Sequence, residues 1–418
     1  IDMNAGGIGL ENNGTVAVFP NINLHLISLF QNNGAIGIGS GSSFIVEPTG
    51  VLNMNGGSVN GTGNLIVKGG LMNFAAATTL SSTIGLNLNT GSITGAENLS
   101  IPGNFKWDDG VISGTGSGFT TSGTVDLLNG VLASDWRITP TGVVNWAGDN
   151  FNQLTIINST ITNEGQFNIR SAVATGSSGQ APPIDTAPID TAPIDTAGRD
   201  FSTSTGAAFI NKGSLRLGDP DGSILDPITF NLNFTNDGGN IGILSGTFKI
   251  TDAQNNPVDL VLNNGSVLQG IGTFEGNIVN AGGVVTPGLI SGSTGTPGKL
   301  SVSGNFTQLA GGALNISLDS TANGLDSSQL SVTGQMTAGG AINFNIINGK
   351  TATQLALLLN ESFSPISYGS FAGKFSSVAV PPALNFSFSD TGVVTIGTTN
   401  QQLINISNQL QDLISRDE

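Results

Sequence analysis

Cysteine is absent from the chain, histidine occurs once, and lysine and arginine together number 12 against 28 acidic residues. Without cysteine there is no disulfide framework and no thiolate metal site, so stability must come from burial and hydrogen bonding. The net charge of −16 leaves no basic stripe to neutralise phosphates, so nucleic acid is not an expected partner. No apolar run approaches the ~18 residues needed to cross a bilayer, so no transmembrane segment is expected and the chain should be soluble. Ile1 opens the sequence without a basic region followed by an apolar stretch, so a targeting peptide is expected to have been removed or left out.

What the chain has instead is glycine, 61 residues of 418, with 38% hydrophobic and only 10% charged residues. That hydrophobic share argues against disorder, and the glycine content against an ordinary mixed α/β enzyme. A glycine followed by apolar residues at its second and fourth successors recurs at Gly14, Gly34, Gly50, Gly123, Gly142, Gly165, Gly213 and Gly246, several of them in Asn-x-Gly. Asn and Gly accept positive φ cheaply, and alternation after a turn turns one strand face inward. Steps such as 14 to 34 and 123 to 142 set a coil near 20 residues, and 34 to 50 is read as a coil of 16. A second motif, "GSVNGTGNL" at 57, "GSITGAENL" at 91, "GVISGTGSGF" at 110 and "GSVLQGIGTF" at 265, is read as running in register with the first.

The expected fold is all-β: a parallel β-helix, or β-solenoid, of about 20 residues per coil, with three short strands per coil. Strand interiors alternate apolar residues with Asn at Asn53/Asn55, Asn87/Asn89, Asn231/Asn233 and Asn343/Asn345, which predicts amide ladders between coils. His25 holds an Asn-type position in "INLHL" and is expected at the solvated surface. Trp107 and Trp146, 39 residues apart, are expected to stack two coils apart rather than to form a sugar platform. At 4.8 Å per coil, about 19 coils would extend on the order of 90 Å.

The stretch "TPGLISGSTGTPGKLSVSGNFTQLAGGALNISLDS", followed by "DSSQLSVTGQMTAGGAINFNIING" and "SYGSFAGKFSSV", resembles the C-terminal part of autotransporter-like and cyanobacterial-type bacterial surface proteins. "KWDDGVISGTGSGF" resembles the Trp-Gly-Gly repeats of such proteins. The resemblance, over about half the chain, implies a right-handed parallel β-helix and an extracellular or cell-surface location. No barrel pattern follows residue 398, so outer-membrane anchoring by that route is not expected, and "KTATQLALLLNES" at 350–362 is more helical than the family pattern.

The expected organisation is a solenoid over 1–170, an insertion over 171–200, solenoid again over 201–286, an autotransporter-like module over 287–398 and a tail over 399–418. The insertion carries "PIDTAPIDTAPIDTA", whose recurring Pro denies it a helix or central strand. Removing 30 residues from the 48 between Gly165 and Gly213 leaves 18, about one coil, which places the insertion between consecutive coils. In the tail, Leu403, Ile406, Leu410, Leu413 and Ile414 follow the spacing of an amphipathic helix, which reads either as a cap over the last coil or as a connector packing against the next subunit.

Little in the chain suggests chemistry. Asp219, Asp221 and Asp226 in "GDPDGSILDP" are first a turn signal and otherwise a weak Ca²⁺ candidate, the only cofactor considered. Asp108 and Asp109 are read as lacking a basic partner, so no catalytic pair is expected and the chain is not expected to be an enzyme. Thr186, Thr191 and Thr196 are candidate glycosylation sites, and eleven Asn-x-Ser/Thr sequons (Asn13, Asn60, Asn98, Asn158, Asn233, Asn264, Asn305, Asn315, Asn360, Asn385, Asn405) are each a weak signal. The leading expectation is a subunit of an extracellular bacterial filament or surface layer, a homo-polymer joined head to tail through Ile1 and the tail residues. The alternative is a monomeric adhesin stalk or glycan-binding passenger.

Overall fold

A computed structural model describes residues 2–3, 9–114, 118–148, 154–171, 199–203, 206–218, 227–252, 254–321, 324–351, 362–381, 384–388 and 394–398. The chain divides into two compact units, Ile1–Ala208 with Ile224–Leu232, and Phe209–Ser223 with Asn233–Glu418. Each is a β-solenoid, and no helix occurs among the described residues. The expected helices over 350–362 and 399–418, and the PIDTA repeats, lie largely or wholly outside those residues.

In unit 1 each coil contributes a strand to each of three walls, and every ladder is parallel. The first wall runs through Asn23–Leu26, Ser43–Val46, Asn64–Lys68, Gly85–Asn89, Phe105–Trp107, Thr124–Leu127, Val143–Gly148 and Gln166–Ser171. On the second wall Phe30 pairs with Leu52, Leu52 with Met72, Met72 with Ile93 and Ile93 with Ile112, giving coils of 22, 20, 21 and 19 residues. The third wall is built from Thr15–Val18, Ala35–Ile38 and Ser58–Gly61, and further along from Leu99–Ile101, Phe119–Thr121 and Trp136–Ile138.

Strand alternation decides the core. Leu26, Val46, Val67, Leu88, Trp107, Leu127, Trp146 and Ile169 stand opposite one another in register on the first wall, and all are fully buried. Each such side chain contributes about 1.5–3 kcal/mol on leaving water. Trp107 and Trp146 are two coils apart, as their spacing predicts, with Leu127 between them. The aromatic hub is Trp136, whose ring stacks on Phe119 at 5.1 Å and meets Trp107 and Phe167 at 6.2 Å.

Two sequence readings need correcting. The glycine motif does not mark one wall: Gly14 and Gly34 lead third-wall strands, Gly50 a second-wall strand, and Gly123, Gly142 and Gly165 first-wall strands. The step of 16 from Gly34 to Gly50 is therefore a move between walls. Likewise "GSVNGTGNL" starts a third-wall strand while "GSITGAENL" and "GVISGTGSGF" start second-wall strands. Corners leading into all three walls use the same device, so the motif cannot tell them apart. Nor is positive φ the reason for these glycines, because only Gly246 of the eight has one, at 69°. At Gly34 a Cβ would collide with the carbonyl oxygen of Gly14, so glycine is needed for the close stacking of successive corners.

Asparagine forms two kinds of ladder. In the outward rows Asn73 Nδ2 donates to Asn53 Oδ1 at 3.1 Å, Asn55 Nδ2 to Gln31 Oε1 at 2.9 Å, and Asn343 Nδ2 to Asn315 Oδ1 at 2.9 Å, as the alternation predicts. Asn87 differs, because its register neighbours are Ile66 and Lys106. The second kind is inside: the first Asn of Asn-x-Gly turns inward at the corner. Asn12 Nδ2 donates to Asn32 Oδ1 at 2.7 Å, and Asn32 Nδ2 to the carbonyl of Gly34 at 3.0 Å, with Asn32 fully buried. In unit 2 Asn211 Nδ2 donates to Asn236 Oδ1 at 2.7 Å.

Unit 2 has its own parallel ladders. One runs through Asn240–Ile243, Val267–Gly270, Val284–Pro287, Ala313–Thr321, Ala341–Ile346 and Ser377–Ala379. A second runs through Thr247–Thr251, Thr273–Glu275, Lys299–Ser303, Gln329–Ala338 and Ile366–Gly373. A third, Leu260–Leu262, Ile278–Asn280 and Phe306–Gln308, joins the second at the long strand Gln329–Ala338. Antiparallel hairpins at 289–296 and 318–327 project from its corners.

Candidate functional site

A solenoid satisfies its strands everywhere except at its first and last coils. In unit 2 Ile366–Gly373 pairs on one side with Gln329–Ala338, and Ser377–Ala379 with Ala341–Ile346; neither has a second partner among the described residues. Register shows which of their side chains belong to the core. Phe371 stands opposite Met336 and Val378 opposite Ile342. Met336 and Ile342 are 0% exposed, whereas Phe371 is 42% and Val378 46% exposed. Val380, two residues on, is also exposed. These positions continue core rows, and no further parallel strand pairs beyond them among the described residues; the Tyr368 ring lies 5.1 Å from that of Phe371.

The first coil of unit 1 has the same character. Leu10 pairs with Phe30 and Val16 with Ile36; both partners are fully buried, while Leu10 and Val16 are half-buried. Phe19, at the corner that follows, is 68% exposed. Large apolar side chains are also partly exposed elsewhere, such as Leu128, Ile157 and Leu309, and an exposed apolar side chain is ordinary for a protein surface.

Several polar side chains on the lateral surfaces pair with one another. His25 Nδ1 lies 2.8 Å from Glu47 Oε1 on the outer side of the first wall, in the Asn-type row expected for it. Arg137 Nη2 meets Glu164 Oε2 at 2.7 Å and Nε meets Oε1 at 3.2 Å; the hydrogen bond and then the charge of Glu164 hold the guanidinium pKa above its ordinary value. Thr120, Arg137 and Thr162 line an open groove of about 450 Å³ on the third wall. Asp135 beside them is engaged too, accepting the Thr160 amide at 2.8 Å.

Asp108, read from sequence as lacking a basic partner, is paired with Lys106 Nζ at 2.8 Å. Asp109 instead accepts the amide of Gly110, so the two adjacent carboxylates serve a surface pair and a turn. Trp107, Trp136 and Trp146 are fully buried and offer no lateral platform for a sugar ring. Among the described residues no three His, Asp or Glu side chains are grouped to hold a metal, and no helix is long and apolar enough to cross a membrane. Asp219, Asp221, Asp226, Ile1, Leu403, Ile406, Leu410, Leu413, Ile414, Thr186, Thr191 and Thr196 all lie outside the described residues. The structure brings forward terminal side chains that the sequence reading passed over. Their signal was positional: Phe371, Val378 and Val380 continue inward rows at the point where the parallel repeat stops.

Comparison with models of known protein families and with curated proteins finds no match for the chain.

Proposed function

We propose that the chain is a structural subunit of an extracellular bacterial filament or surface layer, assembling head to tail with copies of itself. The observation that carries this reading is the exposed core row at the last described coil of unit 2, Phe371 and Val378 above all, together with the half-buried Leu10 and Val16 of the first coil of unit 1. A second copy that adds its first coil to the last coil of its neighbour continues the parallel ladders and covers the apolar rows. Contact between unlike ends is heterologous, and when it does not close into a ring it propagates. The extracellular setting rests on the resemblance to bacterial surface proteins described above.

Electron microscopy of concentrated wild-type chain, with light scattering across a concentration series, tests the proposal. Filaments or concentration-dependent growth are expected, and Phe371→Lys with Val378→Lys should hold the chain monomeric. A wild-type chain that stays monodisperse in both recombinant and native preparations overturns the filament reading. Deleting 399–418 resolves the part played by the tail: unchanged polymers assign assembly to the coil ends alone.

A further inference from the structure

Unit 2 contains a groove along one of its ladders, beneath the hairpin 289–296. Its floor is the outward row of one ladder: Gln269 pairs in register with Thr286, Asn315 stands beside Thr286, and Ser317 pairs with Asn345. The hairpin 289–296 folds over this row, contributing Ile290 and Gly292, and Ile347 closes one side. The groove, open to solvent on one side, has a volume of about 200 Å³.

The roof is fastened. Asn348, at φ 60°, donates its backbone amide to the carbonyl of Ser293 at 2.9 Å. Its side chain accepts from Gly295 N at 3.0 Å and donates to Gly295 O at 2.8 Å and Asp319 Oδ2 at 2.7 Å. One residue thus ties the hairpin 289–296 to the strand Ala313–Thr321 and to the turn after Ala341–Ile346. A tethered roof over a polar floor is a formed site rather than a chance gap.

The floor has hydrogen-bonding capacity to spare. Elsewhere outward Asn side chains bond one another between coils, as Asn53 does with Asn73. The side chains of Gln269, Thr286 and Asn345 make no hydrogen bond among the described residues, and none is sealed from solvent. An amide supplies both donors and acceptors, and a hydroxyl supplies one donor and two acceptors. Among the described residues no charged side chain lines the groove, while Ile290 and Ile347 add aliphatic surface. A ligand matched to this lining is uncharged, carries several hydroxyls and has one apolar C–H face. The volume lies below the ~300–1,000 Å³ of pockets for drug-sized ligands, which limits it to about one ring.

We infer that the groove between the hairpin 289–296 and the row Gln269, Thr286, Asn315 and Asn345 is a binding site for a neutral pyranose. A carboxylated sugar is disfavoured, because its charge would lose water without meeting a cation. The site is independent of the proposed filament, so either can fail without the other.

Saturation-transfer NMR on the full-length chain, with the methyl glycosides of glucose, galactose, mannose and N-acetylglucosamine and with glucuronate as the charged control, tests this. At least one neutral glycoside should bind, most strongly through its C–H face, and glucuronate should bind less. Gln269→Leu with Asn345→Leu should weaken binding roughly tenfold or more, since several hydrogen bonds are lost at once. Asn348→Ala should weaken it by releasing the roof, and Asn53→Ala, in unit 1, should leave it unchanged. Should the double variant not fold, Thr286→Val keeps the strand and should still weaken binding. A polysaccharide of the bound sugar separates the sources: tighter binding than its methyl glycoside supports a polymer ligand, weaker binding a free saccharide. No transfer from any neutral glycoside at millimolar concentration, equal binding of glucuronate, or binding untouched by the floor variants overturns the inference.

Discussion

Replacing Gln308 by Met tests whether the inward amides hold successive coils together. Gln308 is 1% exposed and occupies, in unit 2, an inward corner position like that of the buried Asn residues. Its Nε2 donates to the carbonyls of Gly339 at 2.7 Å and Ala341 at 2.8 Å, and its Oε1 accepts a long bond from Asn280 Nδ2 at 3.4 Å. Met matches its length and volume, so little cavity forms and the change isolates the polar contribution. At about 0.5–1.5 kcal/mol for each of two good bonds, plus the cost of two partly buried carbonyls losing a donor, the loss is about 2–4 kcal/mol. Asn343→Val is the control on the outward row of the same unit, where Asn343 bonds Asn315 at 2.9 Å. A β-branched residue suits that half-exposed strand, so its effect should stay within about 0.5 kcal/mol. Stacked repeats need not unfold in one step, so urea titration should be joined to amide hydrogen exchange, with the loss of protection centred on 306–341. A Gln308→Met chain within about 0.5 kcal/mol of wild type, or an outer substitution costing more than the inner one, would refute the distinction between the two amide rows.

Other expectations follow from single contacts. Gly130→Ala places a Cβ against the buried indole of Trp107, so it should cost about 1–3 kcal/mol and broaden the Trp107 indole signal; an unchanged melting curve would show that the indole can move away. The Asp252 carboxylate is held below its ordinary pKa of 3.8, first by the Asn256 side chain and then by the amides of Asn256 and Gln254. Its stabilisation of that turn is therefore complete above the ordinary value and lost as pH falls through the lower folded value. An NMR titration midpoint for Asp252 at or above 3.8 would contradict this. Trp107→Phe and Trp146→Phe should lower stability while leaving any glycan binding intact, because both rings lie wholly inside.

The coil length and strand alternation were legible in the sequence because each is a local pattern repeated many times. Leu26, Val46 and Val67, which stand in one inward row, are separated by about one coil length each. The wall to which a strand belongs was not legible: Gly14 and Gly50 carry the same local signal, and only the number of turns between them separates the third wall from the second. The Asn-x-Gly corners were recognised for their turns but not for the buried side chain of their first Asn. Asn32 and Asn53 look alike in sequence, yet Asn32 is at a corner that directs it inward and Asn53 on a strand row that faces out. The aromatic hub at Trp136 has no local sign, because Phe119, Trp107 and Phe167, which surround it, come from other strands. The floor of the groove in unit 2 escaped notice because a hairpin 289–296 must fold back to make it concave, and "LISGSTGT" gives no local sign of that path.

The same repetition explains why the terminal coils matter for any function. An interior coil is covered above and below, so substituting one of its inward residues changes stability without creating a new surface. At the last described coil an equivalent residue has one covered side and one open side. Phe371 therefore has the identity of a core residue and the exposure of a surface one. A monomer could relieve that conflict with a polar side chain at the end of the row, as terminal repeats of solenoids commonly do. Phe371, Val378 and Val380 retain apolar identities instead. Placing Lys at Phe371 and Val378 thus separates two cases: if the rows serve only the fold, the variant should melt lower with no change in association, whereas if they receive another coil, association should be lost while unit 1 keeps its amide protection.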